Sequence, residues 1–298
     1  MELTLKNTSF SYDPGAKKPV FAVRNVSFTI HEGEFSALIG HTGSGKSTLV
    51  QFLNGLLKPT FGEVLFNGEN IFDKKYPLKE LRQKVGLVFQ YPEHQLFEET
   101  VLKDICFGPK NIGLPKEERI ERARHAMRLV GLSESYEEKS PFELSGGEKR
   151  RVAIAGVLAM NPECLILDEP TAGLDPAGRD DILGTVRALS DTEGIAVVLV
   201  SHSMEDVAVY AERLLVMNQG SLLYDDTPRA VFEHYRELEK IGLSAPQVTY
   251  IAHALRDKGF LVDEHAMSVP ELKAEILRVL GKAENNTELI RCFSKDSS

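Results

Sequence analysis

Residues 40–47 read Gly40-His41-Thr42-Gly43-Ser44-Gly45-Lys46-Ser47, the pattern G-x-x-x-x-G-K-[ST]. An apolar run (Phe35, Ala37, Leu38, Ile39) leads in, and a helical apolar stretch (Leu49, Val50, Phe52, Leu53) leads out. Strand, glycine-rich loop and helix start are the context this pattern requires, and such a unit belongs to an α/β fold. The glycines let backbone N–H groups turn inward onto phosphate oxygens, and the helix N-terminus adds a positive dipole end. Lys46 then reaches the β- and γ-phosphates, while the Ser47 hydroxyl ligates Mg²⁺. The loop implies a nucleotide. What the nucleotide drives must be read elsewhere in the chain.

The remaining pattern supplies the scaffold. Residues 2–5, 24–30 and 63–66 read as strands of an antiparallel layer punctuated by Gly33, Gly62 and Gly68. Val85–Phe89, Leu165–Leu167 and Ile195–Val200 are apolar runs of buried-strand length, separated by helical stretches, which predicts a mostly parallel sheet. Residues 98–131 read as a helical insert, with Ile120, Ala123, Met127 and Val130 at helical spacing. Beyond about residue 226 three amphipathic helices are predicted. The first starts at Thr227-Pro228 with Val231, Phe232, Tyr235 and Leu238 on one face. The second starts at Ser244-Ala245-Pro246 with Val248, Ile251 and Leu255 inward and Gly259 as the stop. The third opens at the capping box Ser268-Val269-Pro270-Glu271 with Leu272, Ile276, Val279 and Leu280 inward and Gly281 as the stop. From Lys282 the tail reads as polar and frayed.

Composition closes off several classes. The 298 residues carry a net charge of −9, so no whole-chain attraction draws this protein to nucleic acid. Cys106, Cys164 and Cys292 lack C-x-x-C spacing and read as reduced thiols. The start carries no secretory-signal pattern, no apolar stretch approaches membrane-spanning length, and the scattered histidines predict no transition-metal site.

Two further segments carry chemistry. Cys164-Leu165-Ile166-Leu167-Asp168 is an apolar strand that delivers a carboxylate to the sheet edge beside the loop, where it can hold Mg²⁺, often through water. Glu169 follows and can act as the general base for the attacking water. Leu144-Ser145-Gly146-Gly147-Glu148 reads as a capped helix start whose glycines bare N–H groups to an anion. One nucleotide needs one phosphate cradle, and this chain has two.

With these motifs in this order, residues 1–225 resemble the ATP-binding cassette (ABC) ATPase family. The resemblance implies a P-loop NTPase core with a mostly parallel sheet, an antiparallel β layer, a helical subdomain at about 91–150, and a small helical C-terminal unit over 226–298. It implies that Gly40 to Ser47 and Thr48 hold ATP, with Mg²⁺ at Ser47, Gln90 and, through water, Asp168. Leu144 to Glu148 resembles the signature that caps the γ-phosphate of ATP held by a second subunit. Gln90 resembles the Q-loop glutamine, and Leu174-Asp175 the D-loop that crosses the dimer interface. His202 resembles the switch histidine on the γ-phosphate, and Tyr12 the aromatic that stacks on adenine. Glu148 stands where many members have Gln.

Phe89-Gln90-Tyr91-Pro92-Glu93-His94-Gln95-Leu96-Phe97 and Phe107-Gly108-Pro109-Lys110-Asn111 narrow the resemblance to the A-type ATPases of energy-coupling factor transporters, relatives of the cobalt-transport ATPase, and to the second of their two types. Arg150-Arg151-Val152-Ala153-Ile154-Ala155-Gly156 fits as well. That subfamily implies an ATP-hydrolysing subunit on the cytoplasmic face of the membrane, powering uptake of a vitamin or transition-metal ion. Its partners are a second ATPase (a copy or a relative), a membrane-embedded scaffold and a separate substrate-capturing membrane protein, with no nucleic acid. Other readings are the ATPase of another importer, or a soluble member acting on nucleic acid or ribosomes. The span from Lys46 to Leu144 is too short for the long coiled coil of DNA-repair members, and one cassette is present where translation-factor members have two.

Overall fold

The computed structural model describes residues 1–283. The tail beyond them, with Cys292, lies outside the described residues. In chain order come β1 (Glu2–Ser11), β2 (Phe21–His31), β3 (Phe35–Ile39), α1 (Lys46–Leu53), β4 (Phe61–Phe66), β5 (Glu69–Asn70), α2 (Leu78–Lys84) and β6 (Val85–Val88). Then follow α3 (Val101–Asn111), α4 (Lys116–Leu129), α5 (Gly146–Leu158), β7 (Cys164–Asp168), α6 (Pro176–Glu193), β8 (Ala196–Val200), α7 (Met204–Tyr210), β9 (Arg213–Asn218) and β10 (Ser221–Asp226). The last elements are α8 (Pro228–Glu233), α9 (Tyr235–Lys240), α10 (Gln247–Asp257) and α11 (Val269–Ala283).

A six-stranded sheet in the order β10-β9-β3-β8-β7-β6 is parallel except for the edge strand β10. A four-stranded antiparallel sheet has the order β2-β1-β4-β5. The central strands are continuously apolar because each feeds two cores. Cys164 and Ile166 of β7, with Ala196, Val198 and Val200 of β8, pack with the antiparallel layer and α1. Leu165 and Leu167, with Val197 and Leu199, pack with α3 to α6. Alternate side chains leave a strand on opposite faces, so a run with no polar residue marks a sheet covered on both sides. Each such Val, Leu or Ile contributes about 2 kcal/mol of burial. The predicted helical insert comprises α3 and α4, with α5 returning to the sheet.

Residues 1–202 with 210–226 form one compact unit; 203–209 join the described residues from Thr227 onward in a second. That second unit departs from the sequence pattern at four points. The predicted helix from Thr227 is two, because His234 leaves the helical basin (ψ 26°) and its carbonyl accepts the Glu237 and Leu238 N–H groups at 2.8 and 3.1 Å. The second helix begins at Gln247, after Pro246, and its expected inward Ile251 is 49% exposed. Leu280, also expected inward, is 37% exposed. Gly281 does not stop α11, which runs on to Ala283: a glycine ends a helix by taking a positive φ, and Gly281 takes none. Gly259, at φ +89°, lies just beyond the end of α10. Ser268 opens α11 with its hydroxyl 3.0 Å from Glu271. No described helix is long and apolar enough to cross a membrane.

Candidate nucleotide site

Every residue of β3 is buried, and the chain leaves it through Gly40 into a loop that ends where α1 begins. Two glycines are there because backbone presses on them. A Cβ on Gly45 (φ +103°) would lie 2.3 Å from the Ala22 carbonyl oxygen, and one on Gly40 would lie 2.4 Å from that of Met217. Distant chain clasps the loop: Gly220 N–H donates to the Ser44 carbonyl at 3.1 Å, and Gly220 in turn accepts from Arg24 N–H at 2.7 Å. No side chain caps α1. Its first N–H groups are therefore open to an anion, the condition a phosphate cradle needs. The Ser44 hydroxyl is buried without a hydrogen-bond partner.

Lys46, 6% exposed, folds back over this loop and donates from Nζ to the carbonyls of Gly40 and His41. Burial pushes its pKa down, against the opposing pull of Glu169 and Asp168. Asp168, at the end of β7, is half-buried and pairs with Val200 in the β7–β8 ladder. Burial first, then the neighbouring Glu169, push its carboxyl up, while Lys46 and His202 pull it back. Glu169 takes φ +51°, a left-handed conformation unusual for a non-glycine residue and a form of strain that gathers at working sites. It is held there by its N–H on the Val200 carbonyl at 3.0 Å. Its carboxylate accepts from Gln90 Nε2 at 3.1 Å, and His202 Nε2 lies 2.7 Å from its other oxygen. Three strand ends thus converge on one acid: β6 delivers Gln90, β7 Glu169 and β8 His202.

These groups face a cavity of about 530 Å³ lined by Tyr12, Ala22, Thr42 to Thr48, Gln90, Glu169 and His202. Tyr12 is 71% exposed, with its hydroxyl 2.9 Å from that of Thr48 and its ring edge-on to Phe10. Gly40, His41 and Asp168 sit beside the cavity without lining it. Asp175 caps α6 by accepting from Gly178 N–H at 2.7 Å, and it too is outside the cavity.

The second cradle is also elsewhere: none of Leu144, Ser145, Gly146, Gly147 and Glu148 lines the cavity. Leu144 is buried and the next two residues are exposed. Ser145 caps α5 in a complete capping box with Glu148.

Sequence reasoning missed three contributors. Ala22 lines the cavity from β2 and Gly220 clasps the loop from the β9–β10 turn; neither belongs to a local motif. Arg150, 2% exposed, donates to Glu93 and to the carbonyls of Pro170 and Ala172, joining α5 to the segments that follow Gln90 and Glu169. Arg150 stands in the basic run Lys149 to Arg151, and nothing in that run distinguishes the buried cation from its neighbours.

A parallel sheet presenting this loop at strand ends, with an acid pair, a glutamine and a histidine around one cavity, defines a phosphate-loop ATPase of the cassette type. A family model described as "ABC transporter" matches residues 23–172. The chain belongs to the ABC transporter ATPase family, among the energy-coupling factor transporter ATP-binding proteins. Relatives in that group include the EcfA2 protein of Caldanaerobacter subterraneus subsp. tengcongensis, 53% identical over 96% of this chain and 100% of that one. That of Clostridium perfringens is also 53% identical, over 94% and 99%. Among solved structures, cbiO1 from Clostridium perfringens, described as part of the ABC transporter complex cbiONQ, superposes with a TM-score of 0.72. It is 35% identical over 85% of this chain and 98% of its own. A dimeric bacterial ABC transporter cassette gives 0.67 at 33% identity, over 76% and 98%. As a member of this family, the chain is a nucleotide-binding ATPase.

Proposed function

We propose that the chain is the ATP-hydrolysing subunit of an energy-coupling factor importer, powering uptake of a vitamin or transition-metal ion through membrane partners, from the cytoplasmic face. In this reading ATP lies in the cavity, its adenine on Tyr12 and its phosphates on residues 40–48. Lys46 neutralises the β- and γ-phosphates, and His202 holds the γ-phosphate. Ser47, Gln90 and Asp168 would hold Mg²⁺, which would supply charge neutralisation to the phosphates. The donors fit that ion. They are hard oxygens, and Asp168 is a half-buried carboxylate beside a second carboxylate. Glu169 orients the attacking water and takes its proton. Catalysis is otherwise positioning and charge stabilisation.

The observation that carries the reading is the separation of two cradles within one chain. The Ser145–Gly147 helix start, which would close over the γ-phosphate, contributes nothing to the lining of the loop cavity. Two subunits arranged head to tail bring each signature onto the other's γ-phosphate, with Asp175 crossing between them. The second unit supports pairing as well, since Ile251, Leu261, Val269, Leu277 and Leu280 expose apolar surface on it.

Hydrolysis per subunit should rise with protein concentration until the dimer is saturated. A rate independent of concentration from the monomer upward would sink the two-subunit site. Co-purification from solubilised membrane tests the coupling: polytopic partners support it, and ribosomes or nucleic acid overturn it.

A further inference from the structure

The signature serine is already engaged. A hydroxyl carries one proton to donate, and the Ser145 Oγ proton points to Glu148 Oε2 at 2.7 Å. The same carboxylate oxygen accepts the Ser145 N–H at 2.8 Å. The other carboxylate oxygen, Oε1, accepts from the Tyr136 hydroxyl at 2.7 Å. Both ends of the carboxylate are therefore held, and rotation away from Ser145 breaks a hydrogen bond to a charged group.

Tyr136 is in turn fixed by the helical insert. Its neighbour Glu137 is gripped by Arg124 of α4 at 2.8 and 2.9 Å. The carbonyls of Glu137 and Lys139 accept from Leu102 and Val101 of α3 at 3.1 and 3.0 Å. Lys139 Nζ lies 3.8 Å over the Tyr136 ring. The Tyr136 hydroxyl first, then Ser145, lower the Glu148 pKa to about 2, so the carboxylate is fully charged at neutral pH.

A negatively charged residue in the first turn of a helix ordinarily stabilises that helix. This helix start has a second duty under the reading above, on which the present inference rests: it must receive a phosphate. A carboxylate there repels the incoming anion and competes with it for the single serine proton. We propose that Tyr136 and Glu148 are positioning residues that brake closure of the two-subunit site, by keeping the Ser145 hydroxyl turned onto the protein and by holding a negative charge beside the arriving γ-phosphate. Closing requires the serine proton to transfer its hydrogen bond from Glu148 to the phosphate. The brake is set by the helical insert, because α3 and α4 fix the tyrosine.

The sign of the effect separates this role from a structural one. In proteins carrying Glu169→Gln, so that closed dimers accumulate, ATP-dependent dimerisation is titrated by light scattering or sedimentation, with the chain itself and with the second ATPase of its complex. Glu148→Gln keeps an acceptor for the Ser145 N–H and suits a capping box, yet removes the charge. It should lower the half-maximal ATP concentration roughly fivefold, the scale of a partly exposed charge-assisted contact. Tyr136→Phe frees the carboxylate to swing away but leaves it charged, and should lower that concentration about twofold. A merely structural role predicts the opposite, since a weakened cap disorders the helix start and raises the ATP needed. A half-maximal concentration unchanged or raised in either variant overturns the brake. A Glu169→Gln parent that forms no ATP-dependent dimer with either partner overturns the two-subunit reading itself.

Discussion

Two helix N-termini in this chain are candidates for phosphate, and they are finished differently. That of α1 has no side-chain cap; its loop is shaped by glycines and by backbone from β2 and from the β9–β10 turn, and it opens onto a cavity. That of α5 is satisfied from within, with Ser145 and Glu148 exchanging hydrogen bonds and Tyr136 holding the far oxygen. An uncapped helix start is stable only where something else fixes its shape, and it gains by binding an anion. A capped one is stable alone and must give something up to bind. In the proposed two-subunit reading, the first is a site prepared in advance, while the second would exchange partners when the other subunit arrives.

That contrast can be broken or sharpened by experiment. Glu169→Gln should cut turnover about a thousandfold, within the range of general-base effects, while ATP binding persists. Turnover measured beside nucleotide titration checks this, and normal hydrolysis removes Glu169 from the chemistry. Lys46→Ala should weaken ATP binding about a hundredfold, since it removes the buried cation of the prepared site. If titration shows affinity retained, the uncapped helix start is not the binding determinant. Tyr12→Ala should cost roughly tenfold in affinity for ATP, the scale of one stacked base. An equal loss for a ribose triphosphate lacking the base would show that Tyr12 acts through Thr48 instead.

The smallest effect concerns the capped end. Glu148→Ala should destabilise the protein by about 1 kcal/mol at neutral pH, a cap's worth after solvent screening. The Glu148 pKa falls from 4.5 to about 2 on folding. A lowered folded pKa gives stability that is present above 4.5 and lost as pH falls toward 2. The difference in melting temperature between parent and variant should therefore shrink across that window, and a difference independent of pH would remove Glu148's charge from the account.

Much of this was legible in the chain because the motifs are local. A glycine-rich loop after a buried strand, and acids or polar residues at strand ends, are placed by the same pattern that makes the strands. Tyr12, Gln90, Glu169 and His202 come from four separate segments, and a parallel sheet gathers its strand ends on one edge. What could not be read is what tertiary contact decides. Ala22 lines the cavity because β2 crosses the loop, and an alanine in an antiparallel strand has no signature. The left-handed turn at Glu169 follows from the pull of Val200, Gln90 and His202, not from the intrinsic preference of glutamate. In the second unit, periodicity alone put Ile251 and Leu280 inside, but an apolar stripe is wider than the face a small unit can cover.

The clasp on the phosphate loop bears on when the site comes into being. The motif is complete once residue 47 has been made, yet the Gly220 N–H that pins Ser44 and the Met217 carbonyl that backs Gly40 are synthesised much later. A nascent chain emerging from its N-terminus therefore carries the nucleotide motif long before it owns the nucleotide pocket. A chain halted before the β9–β10 turn, with both acids and the glutamine already in place, should be blind to ATP.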